Sequence, residues 1–148
     1  MGTNLASIVS ESAARDAAAP AVRLGDRTLT YGELADGTAR VATLLREHGI
    51  EPGDRVGVML PNVPEFPLAY YGILQAGAVV VPMNVLLKRR EISFYLEDSG
   101  AKLLLAWHGF IDEARAGAEA AGAELIEVDP ESFAATLEAL EPTTEIAP

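Results

Sequence analysis

The sequence predicts an α/β fold: a largely parallel sheet flanked by helices, with a short N-terminal β-hairpin. Three observations lead there. Helical and strand patterns alternate along the chain with stop signals between them. One predicted strand, Lys102-Leu-Leu-Leu-Ala-Trp107, is almost continuously apolar and needs cover on both faces, which intervening helices supply. The 148 residues are 49% hydrophobic, enough to bury a core and too apolar for a disordered chain despite a formal charge of −11.

The elements follow in order. The first twenty residues have no continuous apolar stretch and reach their first cation at Arg15, so they read as an amphipathic helix and not as a signal peptide. Val22–Leu24 and Thr28–Thr30 flank Gly25-Asp26-Arg27, the pattern of a short hairpin. Thr30, three residues before Glu33, opens a helix through a capping box. Leu34, Val41, Leu44, Leu45 and His48 continue its apolar face to a stop at Gly49. Residues 55–60 read as a strand. Asn62-Val-Pro-Glu65 then predicts a second cap with Pro64 in the first turn, followed by a helix on Phe66, Ala69, Tyr70, Ile73 and Leu74 that ends at Gly77.

Val79–Val81 is the next strand, and Arg89–Ser99 is a helix ended by Gly100. Beyond the strand 102–107, Phe110–Ala121 is an Ala-rich helix stopped at Gly122, and Glu124–Val128 is a strand. Asp129-Pro130 opens a last helix bearing Phe133, Leu137 and Leu140. Residues 1–137 are expected to form one subdomain. Residues 138–148, with three acids and two prolines, are expected to form an acidic linker.

Charge excludes some functions. Nucleic-acid affinity depends on Lys and Arg displacing counterions, and 11 basic against 22 acidic side chains disfavour it. The imbalance is concentrated late: the first hundred residues net −3 and the remainder −8. With no cysteine there is no disulfide, thiolate nucleophile or zinc–thiolate site, which suits a reducing cytoplasm. Phe66–Leu87 carries no charge and precedes Lys88-Arg89-Arg90 in the manner of a membrane flank. Pro67, Gln75, Gly77, Pro82 and Asn84 interrupt it, so it is expected to be a core helix followed by a buried strand.

Few residues suggest chemistry. His48, at a helix end, fits a capping cation. His108 and Asp112 have metal-ligand spacing, but Gly109 intervenes and no third ligand is in view. Ser99-Gly-Ala-Lys102 matches an acyl-transfer spacing that needs a helical turn, which Gly100 ends. Lys88-Arg89-Arg90 falls where a helix starts, the end that disfavours cations. Gly117 and Gly122 lack the following Lys-Ser/Thr of a phosphate loop. No catalytic, cofactor-binding or metal-binding residue is therefore assigned.

Two runs carry a family resemblance. Leu29-Thr-Tyr-Gly-Glu-Leu34 with Gly53-Asp-Arg-Val56, and Leu74-Gln-Ala-Gly-Ala-Val-Val-Val-Pro-Met-Asn84, resemble the first two conserved motifs of adenylate-forming (AMP-binding) enzymes. Leu60-Pro-Asn-Val-Pro-Glu-Phe66, Glu91–Leu96 and Asp98-Ser-Gly-Ala-Lys102 extend the likeness in order, over about residues 5–106. The Pro82-Met-Asn84 ending is more similar to fatty and aryl acyl-CoA synthetases than to peptide-synthetase domains.

The resemblance implies the N-terminal subdomain of a longer acyl-CoA synthetase. Such an enzyme joins a carboxylate to ATP, releasing pyrophosphate, and then passes the acyl group to coenzyme A. It implies ATP, Mg and coenzyme A as cofactors of the parent, with none binding this chain alone. Its implied partners are the remaining subdomains and a small carboxylate substrate, and its implied location is the cytoplasm. Exposed apolar surface would meet those subdomains or support a homo-oligomer. The alternative is a stand-alone α/β binding or oligomerisation module built on the same scaffold.

Overall fold

The computed structural model describes residues 3–148. Helix α1 (Ser7–Arg15) leads into a hairpin, β1 (Pro20–Leu24) and β2 (Arg27–Thr30). The strands pair antiparallel across a two-residue turn, Leu24 opposite Arg27, with Gly25 at φ +57°. Helix α2 (Tyr31–Glu47) begins with the expected capping box: Glu33 N–H donates to Thr30 Oγ1 and Thr30 N–H to Glu33 Oε1, both at 3.1 Å. Then follow β3 (Arg55–Met59), α3 (Glu65–Gln75), β4 (Val79–Pro82), α4 (Arg89–Ser99), β5 (Leu103–Trp107), a 3₁₀ turn at 108–110, α5 (Ile111–Ala121), β6 (Glu124–Val128) and α6 (Pro130–Glu138). The uncharged run 66–87 is thus a core helix and a strand. No helix among the described residues is long and apolar enough to cross a membrane.

The expected cap at Asn62 is not formed. Helix α3 starts two residues later, with Pro64 as its N-cap and no side-chain bond. An Asn62 cap could draw on the N–H of residue 64 or 65, and proline removes the first of these. The Val63 carbonyl takes the Phe66 N–H instead, at 2.9 Å. Glu65, 3% exposed, turns outward to the hairpin and accepts from Arg27 Nη2 at 2.6 Å. This ion pair ties the small sheet to the main body.

The main sheet has the order β4-β3-β5-β6, all parallel, with Val56 beside Val80 on one side and Leu103 on the other. Alternate strand residues divide into two cores. Val56, Val58, Leu103 and Leu105 meet Val41, Leu45, Ile73 and Phe133 from α2, α3 and α6. Leu104, Ala106 and Met59 meet Ile92, Leu96, Ala114 and Ala118 from α4 and α5.

Residues 139–148 form no regular element and run across the α2–α3 layer. Arg40 Nη1 donates to the carbonyls of Leu137, Glu138 and Leu140, and Thr43 Oγ1 to Glu141 O at 2.7 Å. Buried Gln75 donates from Nε2 to Thr143 O and Glu145 O, and its own carbonyl accepts from Ala147 N–H at 3.0 Å. Asn4 Nδ2 bridges Leu74 O at 2.6 Å and Ala147 O at 2.7 Å, joining both ends of the chain at one corner of the sheet.

Candidate functional site

Topology marks where a ligand would sit. From β3 the chain first adds β4 on one side, then crosses to add β5 on the other. In open α/β sheets such a reversal leaves a crevice at the C-terminal ends of the two diverging strands. Here those ends lead into Leu60-Pro61-Asn62 and Trp107-His108, beside the loop that follows β4.

A cleft of about 330 Å³ opens at this end of the sheet. One wall is Val85–Lys88 and the other is His108–Glu113. The first wall is shaped by Asn84, whose Oδ1 accepts from Leu86 N–H at 2.8 Å. It is fixed to the second where Arg89 N–H donates to Glu113 Oε2 at 2.8 Å. Glu91 Oε1 accepts from Lys88 N–H at 3.2 Å, so α4 gains an acid near its positive end although Lys88, Arg89 and Arg90 crowd there. None of those three side chains has an ion-pair partner within 4.0 Å among the described residues.

Of the residues singled out from sequence, Lys88, His108 and Asp112 come together on the cleft walls, and the others lie apart from them. Ser99 Oγ donates to Tyr95 O at 2.6 Å, a bond back along its own helix. Lys102 Nζ lies 2.8 Å from Asp54 Oδ1, at the opposite end of the sheet from the cleft. That contact lowers the Asp54 carboxyl below its ordinary value through the Lys102 hydrogen bond, and raises the Lys102 amine by the same bond. His108 faces Asp129 Oδ2 at 3.7 Å, not Asp112, and its ring lies 4.8 Å from that of Trp107. His48 does sit at the end of α2, but its Nδ1 pairs with Glu124 on β6 and not with the last-turn carbonyls. Among the described residues no group of three or more His, Asp or Glu is placed to hold a metal.

That Lys88, His108 and Asp112 share one cleft was not legible in the sequence, because the loop after β4 and the turn after β5 are neighbours only through strand order. Asn84, a residue that favours turns, is a further local signal for the first wall. Chemically the cleft offers apolar surface from Leu87 and Phe110, one ammonium and two carboxylates. It has no glycine-rich backbone cradle, and Asp112 and Glu113 on its wall would repel a phosphate. The residues present do not fit a nucleotide triphosphate.

The family model described as AMP-binding enzyme matches residues 9–147. A long-chain-fatty-acid–CoA ligase of Bacillus subtilis is 36% identical over 101 residues, 68% of this chain and 18% of that protein. Surfactin synthase subunit 1 of the same species is 42% identical over 99 residues, 67% of this chain and 3% of its own length. Among solved structures, a benzoate CoA ligase from Burkholderia xenovorans superposes with TM-score 0.91 at 28% identity, covering 99% of this chain and 30% of that one. The chain therefore spans a minor part of each of these relatives.

Proposed function

Because the chain belongs to the AMP-binding enzyme family, we propose that it is the N-terminal part of an ATP-dependent acyl- or aryl-CoA ligase, supplying scaffold and not reacting groups. In the whole enzyme a carboxylate would attack ATP to give an acyl-adenylate and pyrophosphate, and the thiol of coenzyme A would then displace AMP. The observation that carries this reading is the match of nearly the whole fold to under a third of a CoA ligase. Residues 1–137 act as the N-terminal subdomain, and 138–148 lead toward the phosphate-binding region of the parent. The partners of this chain are the other subdomains, and the ligase works in the cytoplasm on a small carboxylate.

No step through ATP, Mg or coenzyme A is derived from these residues, because they do not fit a nucleotide. What this chain does is hold a parallel sheet between two helical layers and leave an open cleft at its C-terminal end. The reading is tested on the protein as its host expresses it. An intact mass several times 15.6 kDa, from a frame continuing into a Ser/Thr/Gly-rich loop with a lysine, is expected. A mature mass of 15.6 kDa contradicts it and favours the stand-alone module.

A further inference from the structure

Two threonines of helix α2 meet different fates. Thr43 Oγ1 donates to Ala39 O one turn back at 3.2 Å and to Glu141 O at 2.7 Å. Thr38 is 1% exposed, and its Oγ1 is the one buried side-chain polar atom without a hydrogen-bond partner among the described residues. A hydroxyl that gives up water on folding keeps that cost until another group replaces the lost bonds.

Thr38 belongs to the wall of a recess of about 230 Å³, apart from the cleft at the end of the sheet. Ala35, Thr38 and Ala39 supply one face of α2, at i, i+3 and i+4. Ala6 and Val9 at the start of the chain, Gln75, and the segment crossing α2 and α3 supply the rest. Whereas Lys88, Asp112 and Glu113 line the cleft, no charged side chain lines this recess among the described residues. An ion entering it would leave water for small apolar side chains without a counter-charge.

We propose that this recess binds a small neutral molecule with an apolar body and one group that both donates and accepts a hydrogen bond, a hydroxyl or a primary amide. The polar atoms of the wall define that group. Thr38 Oγ1 can donate and accept, while Gln75 spends its Nε2 on Thr143 O and Glu145 O and keeps Oε1 as an acceptor. Size sets the body: apolar cavities of about 150 Å³ hold benzene, so a six-membered ring with one substituent is accommodated. The site goes beyond the ligase reading and does not rest on it.

The test titrates cyclohexanol into alanine-methyl-labelled protein, at the length its host expresses, and follows the methyl resonances by NMR. Saturable shifts at Ala6, Ala35 and Ala39 are expected, and cyclohexylammonium, of similar shape but charged, should leave them in place. Thr38→Val keeps the shape and removes the hydroxyl, so it should bind cyclohexanol about tenfold more weakly. Relieved of an unpaired buried hydroxyl, the variant should also melt no lower than the wild type. No saturable shift, equal affinity in wild type and variant, or equal shifts from cyclohexylammonium each overturns the site. A clearly lower melting temperature in the variant shows that the hydroxyl already has a partner, and that too overturns it.

Discussion

The two ends of the parallel sheet differ in how tightly they are held. At the N-terminal end, Gly53 N–H donates to Gly77 O at 2.9 Å, Lys102 meets Asp54, and Asn4 and Gln75 clamp residues 143–147 against the start of β4. At the C-terminal end, the loop after β4 and the turn after β5 face each other across an open cleft, joined by the Arg89–Glu113 bond. Stability is invested at one end so that the other can remain open, which is where α/β sheets place ligands.

The largest effect expected from breaking this contrast is at Gly77. Its φ is +81°, and an added Cβ would lie 2.8 Å from Ala147 Cβ and 3.0 Å from Pro52 Cβ. Gly77→Val combines backbone strain with overpacking and should cost about 2–5 kcal/mol. Gly109→Ala at the cleft end, where a Cβ would meet Trp107 Cδ1 at 3.3 Å, should cost less than about 1 kcal/mol. Urea denaturation of both variants decides it, and equal losses would erase the distinction between the ends.

Next comes Gln75→Ala, which strips the carbonyls of Thr143 and Glu145 of their amide donor. A loss of about 1–3 kcal/mol is expected, with faster hydrogen exchange at Ala147. An unchanged melting temperature would mean that residues 139–148 do not contribute to the clamp.

The smallest effect concerns Asp54 and pH. Because its folded pKa lies below the ordinary 3.8, mainly through the Lys102 hydrogen bond, the pair contributes fully above that value and is lost as pH falls below it. Lys102, raised above 10.5 by the same bond, keeps its contribution below that value and loses it as pH rises further. Asp54→Asn should therefore flatten both the acid and the alkaline limb of stability against pH. Thermal melts across the two limbs would reveal parallel wild-type and variant curves if the pair were idle.

Much of this was legible in the sequence where the determinant is local. The Thr30–Glu33 box and the stops at Gly100 and Gly122, with φ of 68° and 70°, each need only residues a few positions apart. Strand order was not legible, because β3 pairs with β5 across an intervening strand and two helices. The cleft, which depends on that order, was hidden with it. The seating of residues 139–148 was hidden for another reason: Arg40, Thr43 and Gln75 bind carbonyl oxygens, which every residue possesses. The Asn62 cap is not formed: Pro64 removes one of its two possible donors and itself becomes the N-cap.

On the proposed reading this chain is ligase scaffold whose chemistry resides elsewhere in the parent. ATP–pyrophosphate exchange, run with a panel of fatty and aryl carboxylates on the purified 148-residue chain and on the full-length parent, tests it most directly. Exchange by the parent alone is the predicted result, whereas carboxylate-dependent exchange by the 148-residue chain would contradict that reading.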